Sequence, residues 1–222
     1  MEYWNTSVAN FQNVSHLLDS KILSKNEFTQ QRRTYIQHMS LLQNIKNRIF
    51  NRSLQQLGRQ NQATRKFPGF EKAQSIGILF DATELSNREF VLQYADQLNK
   101  RGKKLKLLGF FDSKLEETNF TFPYFNRKNL DWVGRPTGEK VRDFSEQAFD
   151  LLINLDRIAK PQTEYVCAMS RAHLRVGPVS DHTFCYELML DKADTKDLKT
   201  FIQQMEFILE KTNSRRHEIT NV

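Results

Sequence analysis

The sequence predicts an α/β fold: a Rossmann-like, mainly parallel sheet with helices on both faces, preceded by a basic amphipathic N-terminal helix. Three observations carry this reading. From Ser75 onward, short apolar runs of buried-strand type alternate with amphipathic helical stretches, the pattern that builds βαβ units rather than hairpins. Gly102 follows one helical stretch and Pro161 opens another, where a C-terminal glycine and an N-terminal proline belong. The positive charge, finally, is confined to the start of the chain. Residues 1–72 hold 11 Lys/Arg against 4 Asp/Glu and the rest hold 22 against 22, so the formal charge of +7 sits in the first third.

The first elements follow from that charge. Residues 1–38 are polar, with scattered apolar positions such as Trp4, Phe11, Leu17 and Leu18 and no sustained period, and are expected to form an extension without regular packing. Ser40, Leu41, Leu42 and Gln43 after Met39 make a natural beginning for the helix, so 1–38 is expected to be either such an extension or the product of an upstream start-codon choice. Residues 39–72 read as a basic amphipathic helix and linker. From Phe28 to Phe70 there is no Asp or Glu, while Arg48, Arg52, Arg59, Arg65 and Lys66 all fall in this region. At about 100° per residue, Ile45, Ile49, Leu42, Leu57, Phe50 and Leu54 fill one half of the helical cylinder, and Arg48, Arg52, Arg59 and Lys66 form a strip about 40° wide beside it. Gly58 and Pro68 limit how far one rigid helix can run.

The α/β domain is placed at 73–212. Ser75–Phe80 is a buried-type strand and Asn87–Lys100 a helix with Phe90, Val91, Tyr94 and Leu98 on one side; Lys104–Phe111 is the second strand of a right-handed βαβ unit. Phe122–Phe125 and Leu130–Val133 are short strand or turn segments. Thr137–Phe149 reads as a helix leading into the strand Leu151–Leu155, and a helix from Pro161 to about Arg171 precedes a short strand, Leu174–Val176, stopped by Gly177-Pro178. Phe184–Leu190 reads as a strand containing Cys185, Thr195–Lys211 as a closing amphipathic helix, and 213–222 as a polar tail.

Composition removes several function classes. No stretch of 18 apolar residues suggests a membrane span, and two cysteines without a leader-like start point to a reducing cytoplasm. Cys167 and Cys185 read as small core residues. His16, His38, His173, His182 and His217 lack metal-ligand spacing, so no metal is expected. The first strand is followed by Asp81-Ala-Thr-Glu-Leu-Ser-Asn87 instead of a Gly-x-Gly-x-x-Gly turn, and no Gly-x-x-x-x-Gly-Lys-Ser/Thr loop exists, so no cofactor is predicted.

In such a sheet, ligands bind beyond the carboxyl ends of the strands. Asp81, Asp112 and Asp156 each follow a strand there. Converged, they suit Mg²⁺ with a phosphorylated substrate, with Thr83, Ser113, Arg157 and Lys160 as phosphate partners. The ordinary duty of an Asp in this position is to cap the next helix or close a turn.

Ser75-Ile-Gly-Ile-Leu-Phe-Asp-Ala-Thr83, Leu107-Leu-Gly-Phe-Phe-Asp112, Phe149-Asp-Leu-Leu-Ile-Asn-Leu-Asp156 and Arg175-Val-Gly177 together resemble a conserved family of Bacteroidota proteins of unknown function, over about residues 39–212. The resemblance implies the fold and a bacterial cytoplasm and transfers no catalytic residue. Asp150 to Gly177 is more distantly similar to the N-terminal half of ADP-heptose-type glycosyltransferases, without the Gly-Asp turn after the first strand.

Two functions follow as expectations. One is a non-enzymatic RNA- or ribosome-associated protein whose Arg48, Arg52, Arg59, Arg65 and Lys66 engage phosphates. The other is a small Rossmann-like enzyme or sensor holding a phosphorylated ligand or nucleotide sugar at Asp81, Asp112 and Asp156.

Overall fold

The computed structural model describes residues 25–61, 68–191 and 197–219, with side chains described from residue 40 to residue 211 within that range. The chain divides into two units, 1–45 and 46–222. In the first, residues 25–45 are helical, and Leu41, Leu42 and Ile45 are exposed. They are the start of α1 (Lys25–Gln60). The helix begins upstream of the expected start at Met39 and runs through Gly58.

The second unit holds a six-stranded sheet. Its strands are β1 (Ser75–Asp81), β2 (Lys104–Phe111), β3 (Tyr124–Asn126), β4 (Leu151–Asn154), β5 (Arg175–Pro178) and β6 (Leu188–Leu190). Every neighbouring pair is parallel, in the order β3-β2-β1-β4-β5-β6. Between the strands lie α2 (Leu85–Lys100), α3 (Glu139–Ser145) and α4 (Pro161–Met169), and α5 (Leu198–Ile219) follows β6. The chain builds outward from β1 to β3, then returns to lay β4 against the other side of β1. That reversal opens a crevice at the carboxyl ends of β1 and β4.

Strand side chains alternate between two faces, and each face is buried by its own helices. Ile76, Ile78 and Phe80 pack in one core with Val91, Tyr94 and Leu98 of α2 and Phe201 and Met205 of α5. Leu79, Leu108, Phe110 and Leu152 pack in the other with Phe144 of α3, Val166 of α4, and Phe50 and Leu54 of α1. Complete burial of side chains like Phe50 and Leu54 contributes about 1.5–3 kcal/mol each. This fixes the phase of the basic helix: Arg48, Arg52 and Arg59 are exposed. Asn61 continues the attachment, its Nδ2 donating to the carbonyls of Ala168 (2.8 Å) and Ser170 (2.7 Å) at the end of α4.

Gly102 closes α2 with φ +78, its N–H donating to Asn99 O at 2.9 Å. Gly177 serves a different need. A Cβ there would lie 2.3 Å from Tyr186 Cε1, so its absence lets the Tyr186 ring lie on β5.

Several elements differ from the expected bounds. The helix expected over 137–149 is only Glu139–Ser145; Gly138, at φ +100, starts it, and the Phe149 N–H turns back to Gln147 O. The strand expected over 184–190 divides into a 3-10 turn, Thr183–Cys185, and β6, so Cys185 lies in the turn. The cause is Arg175, whose guanidinium donates to Phe184 O at 2.7 Å and to the Glu187 carboxylate at 2.7 Å, bending the backbone around a buried guanidinium. β5 continues through Gly177-Pro178, and α5 continues past Lys211 to Ile219. Burial pushes the Cys167 thiol well above its ordinary pKa and Cys185 up to about 12, so both are inert core groups.

Candidate functional site

Register brings two strand-end carboxylates to one level. β1 and β4 pair with Leu79 opposite Asn154, so Asp81 and Asp156, each two residues further on, meet at the mouth of the crevice. Both share the alternation of Leu79 and Leu152 and face the side covered by α4. Lys160, the residue before α4, reaches back between them and donates to Asp81 Oδ2. Asp81 Oδ1 accepts the Thr83 N–H at 3.0 Å, closing a turn. Burial alone would lower the pKa of Lys160, but the Asp81 hydrogen bond and the charges of Asp81, Asp156 and Asp112 outweigh it and hold the ammonium above its ordinary value.

Asp156 is more deeply placed. It is 2% exposed. Its Oδ2 accepts the Thr163 hydroxyl at 2.6 Å, while its buried Oδ1 has no hydrogen-bond partner among the described residues. Its backbone N–H donates to Asn154 Oδ1 at 3.1 Å, and Asn154 Nδ2 donates to the Tyr186 hydroxyl at 2.8 Å. The ring admitted by Gly177 thus braces the residue that holds Asp156. Burial, reinforced by the Asp81 charge, pushes the Asp156 carboxyl up to about 7; Thr163, Lys160 and the Asp81 backbone oppose the shift without cancelling it.

Asp112 stands further off. Its carboxylate accepts Arg127 Nε at 2.5 Å, and its N–H donates to Thr83 Oγ1 at 3.0 Å. The cation amid the three strand-end acids is therefore the Lys160 ammonium, and among the described residues no group of His, Cys, Asp and Glu is arranged to hold a metal ion. None of the three acids is the residue before a helix; Glu84, Gly138 and Lys160 hold those places in front of α2, α3 and α4. Of the phosphate partners read from sequence, Thr83 and Lys160 are engaged as described, and Ser113 Oγ accepts the Leu115 N–H at 3.0 Å.

Two adjoining hollows occupy the crevice. The inner, about 130 Å³, has Asp81, Asn87, Asp156, Arg157 and Lys160 among apolar walls from Phe80, Val91, Leu155 and Leu198. The outer, about 410 Å³, shares Arg157 and Ile158 with it and adds Glu164, Ser180, Asp181, His182 and Asp191. Glu164 is buried; its Oε1 accepts the Ser180 hydroxyl and its Oε2 lies 3.2 Å from His182 Nδ1, while the His182 N–H donates to Ser180 Oγ at 2.9 Å. The serine proton points at the glutamate instead of the imidazole, so this is not a Ser-His relay. The sequence shows His182 as a lone histidine; Ser180-Asp-His182 directly after β5 is the local signal of the cluster.

Of the basic residues, Arg48, Arg52 and Arg59 lie exposed on α1, and Arg65 and Lys66 lie outside the described residues. His173 Nδ1 lies 3.5 Å from Asp150 Oδ1, away from the crevice at the opposite ends of β1 and β4.

Fold and crevice together define a single-sheet, Rossmann-like α/β protein with a cleft at the strand-order reversal. The chain belongs to the family described as "Family of unknown function (DUF6913)", whose model matches residues 44–211, nearly the whole of the second unit. No curated protein and no solved structure matches it.

Proposed function

We propose that the β1/β4 crevice is the working site and that it binds a small polar ligand through Asp156, as an enzyme or a ligand sensor would. One observation carries this reading: Asp156, whose buried carboxyl has one oxygen unanswered among the described residues, belongs to the lining of a cavity at the strand-order reversal. An unsatisfied buried acceptor costs about 1–3 kcal/mol, and such groups collect where they have work to do. A carboxyl titrating near neutrality is also suited to exchanging a proton with what it binds. The free, buried thiols of Cys167 and Cys185 support a reducing, cytoplasmic setting. Thermal-shift screening of the full chain against metabolites, including nucleotides and sugar nucleotides, tests the reading. Hits are expected to disappear in Asp156→Asn and to weaken in Asp81→Asn; hits that both variants retain would reject the crevice.

A second reading rests on the exposure of Arg48, Arg52 and Arg59 in an acid-free part of α1 while Phe50 and Leu54 are buried beneath it. This strip offers phosphate contacts to RNA or the ribosome, with affinity falling steeply as salt rises. Arg48→Glu combined with Arg52→Glu is expected to abolish cosedimentation with RNA or ribosomes without unfolding the α/β unit. Unchanged cosedimentation would remove this reading.

A further inference from the structure

We infer that the outer hollow takes a neutral polyhydroxylated compound, a sugar or similar polyol, and that Nε2 of His182 is the acceptor for one of its hydroxyls. This rests on the crevice being the working site, but it uses neither Asp156 nor the inner hollow. The tautomer of His182 supplies the first argument. The His182 backbone N–H donates to Ser180 Oγ at 2.9 Å, and the Ser180 proton goes to Oε1 of Glu164. That leaves Glu164 Oε2, 3.2 Å away, to accept from His182 Nδ1. Glu164 is buried, so the anchor of the ring lies inside the protein. With the hydrogen on Nδ1, the neutral imidazole offers Nε2 as an acceptor.

Nε2 is open to a ligand. It has no hydrogen-bond partner among the described residues, and it is not one of their buried, unanswered polar atoms, so solvent reaches it. The ring belongs to the lining of the outer hollow and leans on Phe184, with ring centroids 5.9 Å apart. An open acceptor on an imidazole fixed by Glu164 and Phe184 calls for a donor from outside the chain.

The rest of the lining narrows the class of that donor. Glu164, Asp181 and Asp191 stand there against Arg157, so an anionic ligand would meet three acids and one guanidinium. Both Glu164 oxygens are taken, and Asp181 and Asp191 are exposed, so no buried acceptor awaits an ammonium. Ile158, Pro161 and Val179 add exposed apolar surface to the same lining. A polyol answers both kinds of wall, setting hydroxyl donors on the acceptors and its C–H face on the aliphatic side chains. The space, about 410 Å³, lies in the ordinary range of small-molecule sites.

The test is NMR of the full chain with ¹⁵N-labelled imidazoles, at a pH where imidazoles are neutral. The unaltered chain is expected to show His182 with its hydrogen on Nδ1, a measurement that depends on no variant; a hydrogen on Nε2 would overturn the inference. Glycerol, D-ribose and D-glucose are then titrated separately, with inorganic phosphate and methylammonium as comparators. At least one polyol is expected to shift His182 Nε2 and the amides of Ser180, Asp181 and His182, and to bind about tenfold more weakly in His182→Phe. Glu164→Gln, folded by its amide spectrum, is expected to mix the two tautomers and to weaken the same polyol; an unchanged tautomer would overturn the positioning role of Glu164. Phosphate or methylammonium shifting Nε2 while no polyol does, or polyol binding unchanged in His182→Phe, would overturn the inference. No polyol shifting Nε2 would overturn it too, and would leave the crevice standing as a site if metabolite hits still vanish in Asp156→Asn. Hits kept in both Asp156→Asn and Asp81→Asn would remove the crevice reading and this inference with it.

Discussion

Replacing Asp156 by Asn should stabilise this protein at neutral and alkaline pH and leave it nearly unchanged in acid. The magnitude comes from the burial of the carboxyl. Its pKa rises from the ordinary 3.8 to about 7 in the folded chain, so the folded state holds a proton that the unfolded state has released. Stability therefore falls as pH rises from about 4 and levels off above about 7. At about 1.4 kcal/mol per pKa unit the full loss is about 4 kcal/mol. Asn retains the volume and an acceptor for the Thr163 hydroxyl, carries no charge, and is blind to this interval. Urea denaturation of both proteins at pH 4, 5.5, 7 and 8.5 measures the difference directly, because every other titrating group is common to the two and cancels. The expected result is near-equality at pH 4 and a gap of a few kcal/mol in favour of the variant at pH 8.5. Parallel profiles across the range would show that the folded carboxyl titrates normally, and the physical case for Asp156 as a strained, functional group would fall.

Asp150 should behave in the opposite sense. Its carboxylate accepts the backbone N–H groups of Gln74 (2.8 Å) and Ser75 (3.0 Å) and is held below its ordinary pKa in spite of partial burial, so its contribution is present above about pH 4 and is lost on acidification; Asp150→Asn should flatten the acid limb of the urea profile. Gly177→Ala should cost about 1–3 kcal/mol in urea denaturation, because the added methyl meets the Tyr186 ring and forces it off Asn154. Leu54→Ala, at a fully buried position on α1, should cost about 2–5 kcal/mol, whereas the exposed Arg48→Glu, Arg52→Glu pair should change stability by no more than about 0.5 kcal/mol per site.

The parts of the fold legible in the sequence are those in which local pattern and tertiary packing agree. β1 is a continuous buried run, β2 ends in one, and α2 has a clear apolar side ended by Gly102, so their positions follow from residue order alone. The start of α1 was not legible, since residues 25–38 carry no sustained apolar period to mark a helix. Nor was the break at 184–190, where the run Phe184-Cys-Tyr is apolar enough for a strand but its backbone is taken by Arg175 of the preceding strand. The site divides in the same way. Asp81, Asp112 and Asp156 are identified by their place after strands, but which of them meet depends on strand order. Placing β4 beside β1 joins Asp81 and Asp156 and leaves Asp112 to Arg127. Lys160 is visible only as a basic residue near a strand end; its place between two carboxylates is a tertiary fact.

That place bears on whether the cluster is there for function or only for stability. A structural ion pair answers its own acceptors, and its energetic return comes from doing so. Asp81 meets this description, with Thr83 on one oxygen and Lys160 on the other. Asp112 meets it through Arg127. Asp156 does not: it is the most buried of the three, one of its oxygens lacks a partner among the described residues, and the nearest ammonium already donates to its neighbour. An Asn would accept from Thr163 as well and spare the chain a charge in an apolar setting, so stability alone gives no reason for a carboxyl here. Stability and function therefore pull in opposite directions at residue 156, and a substitution that strengthens the fold while abolishing ligand binding is the signature expected of such a site.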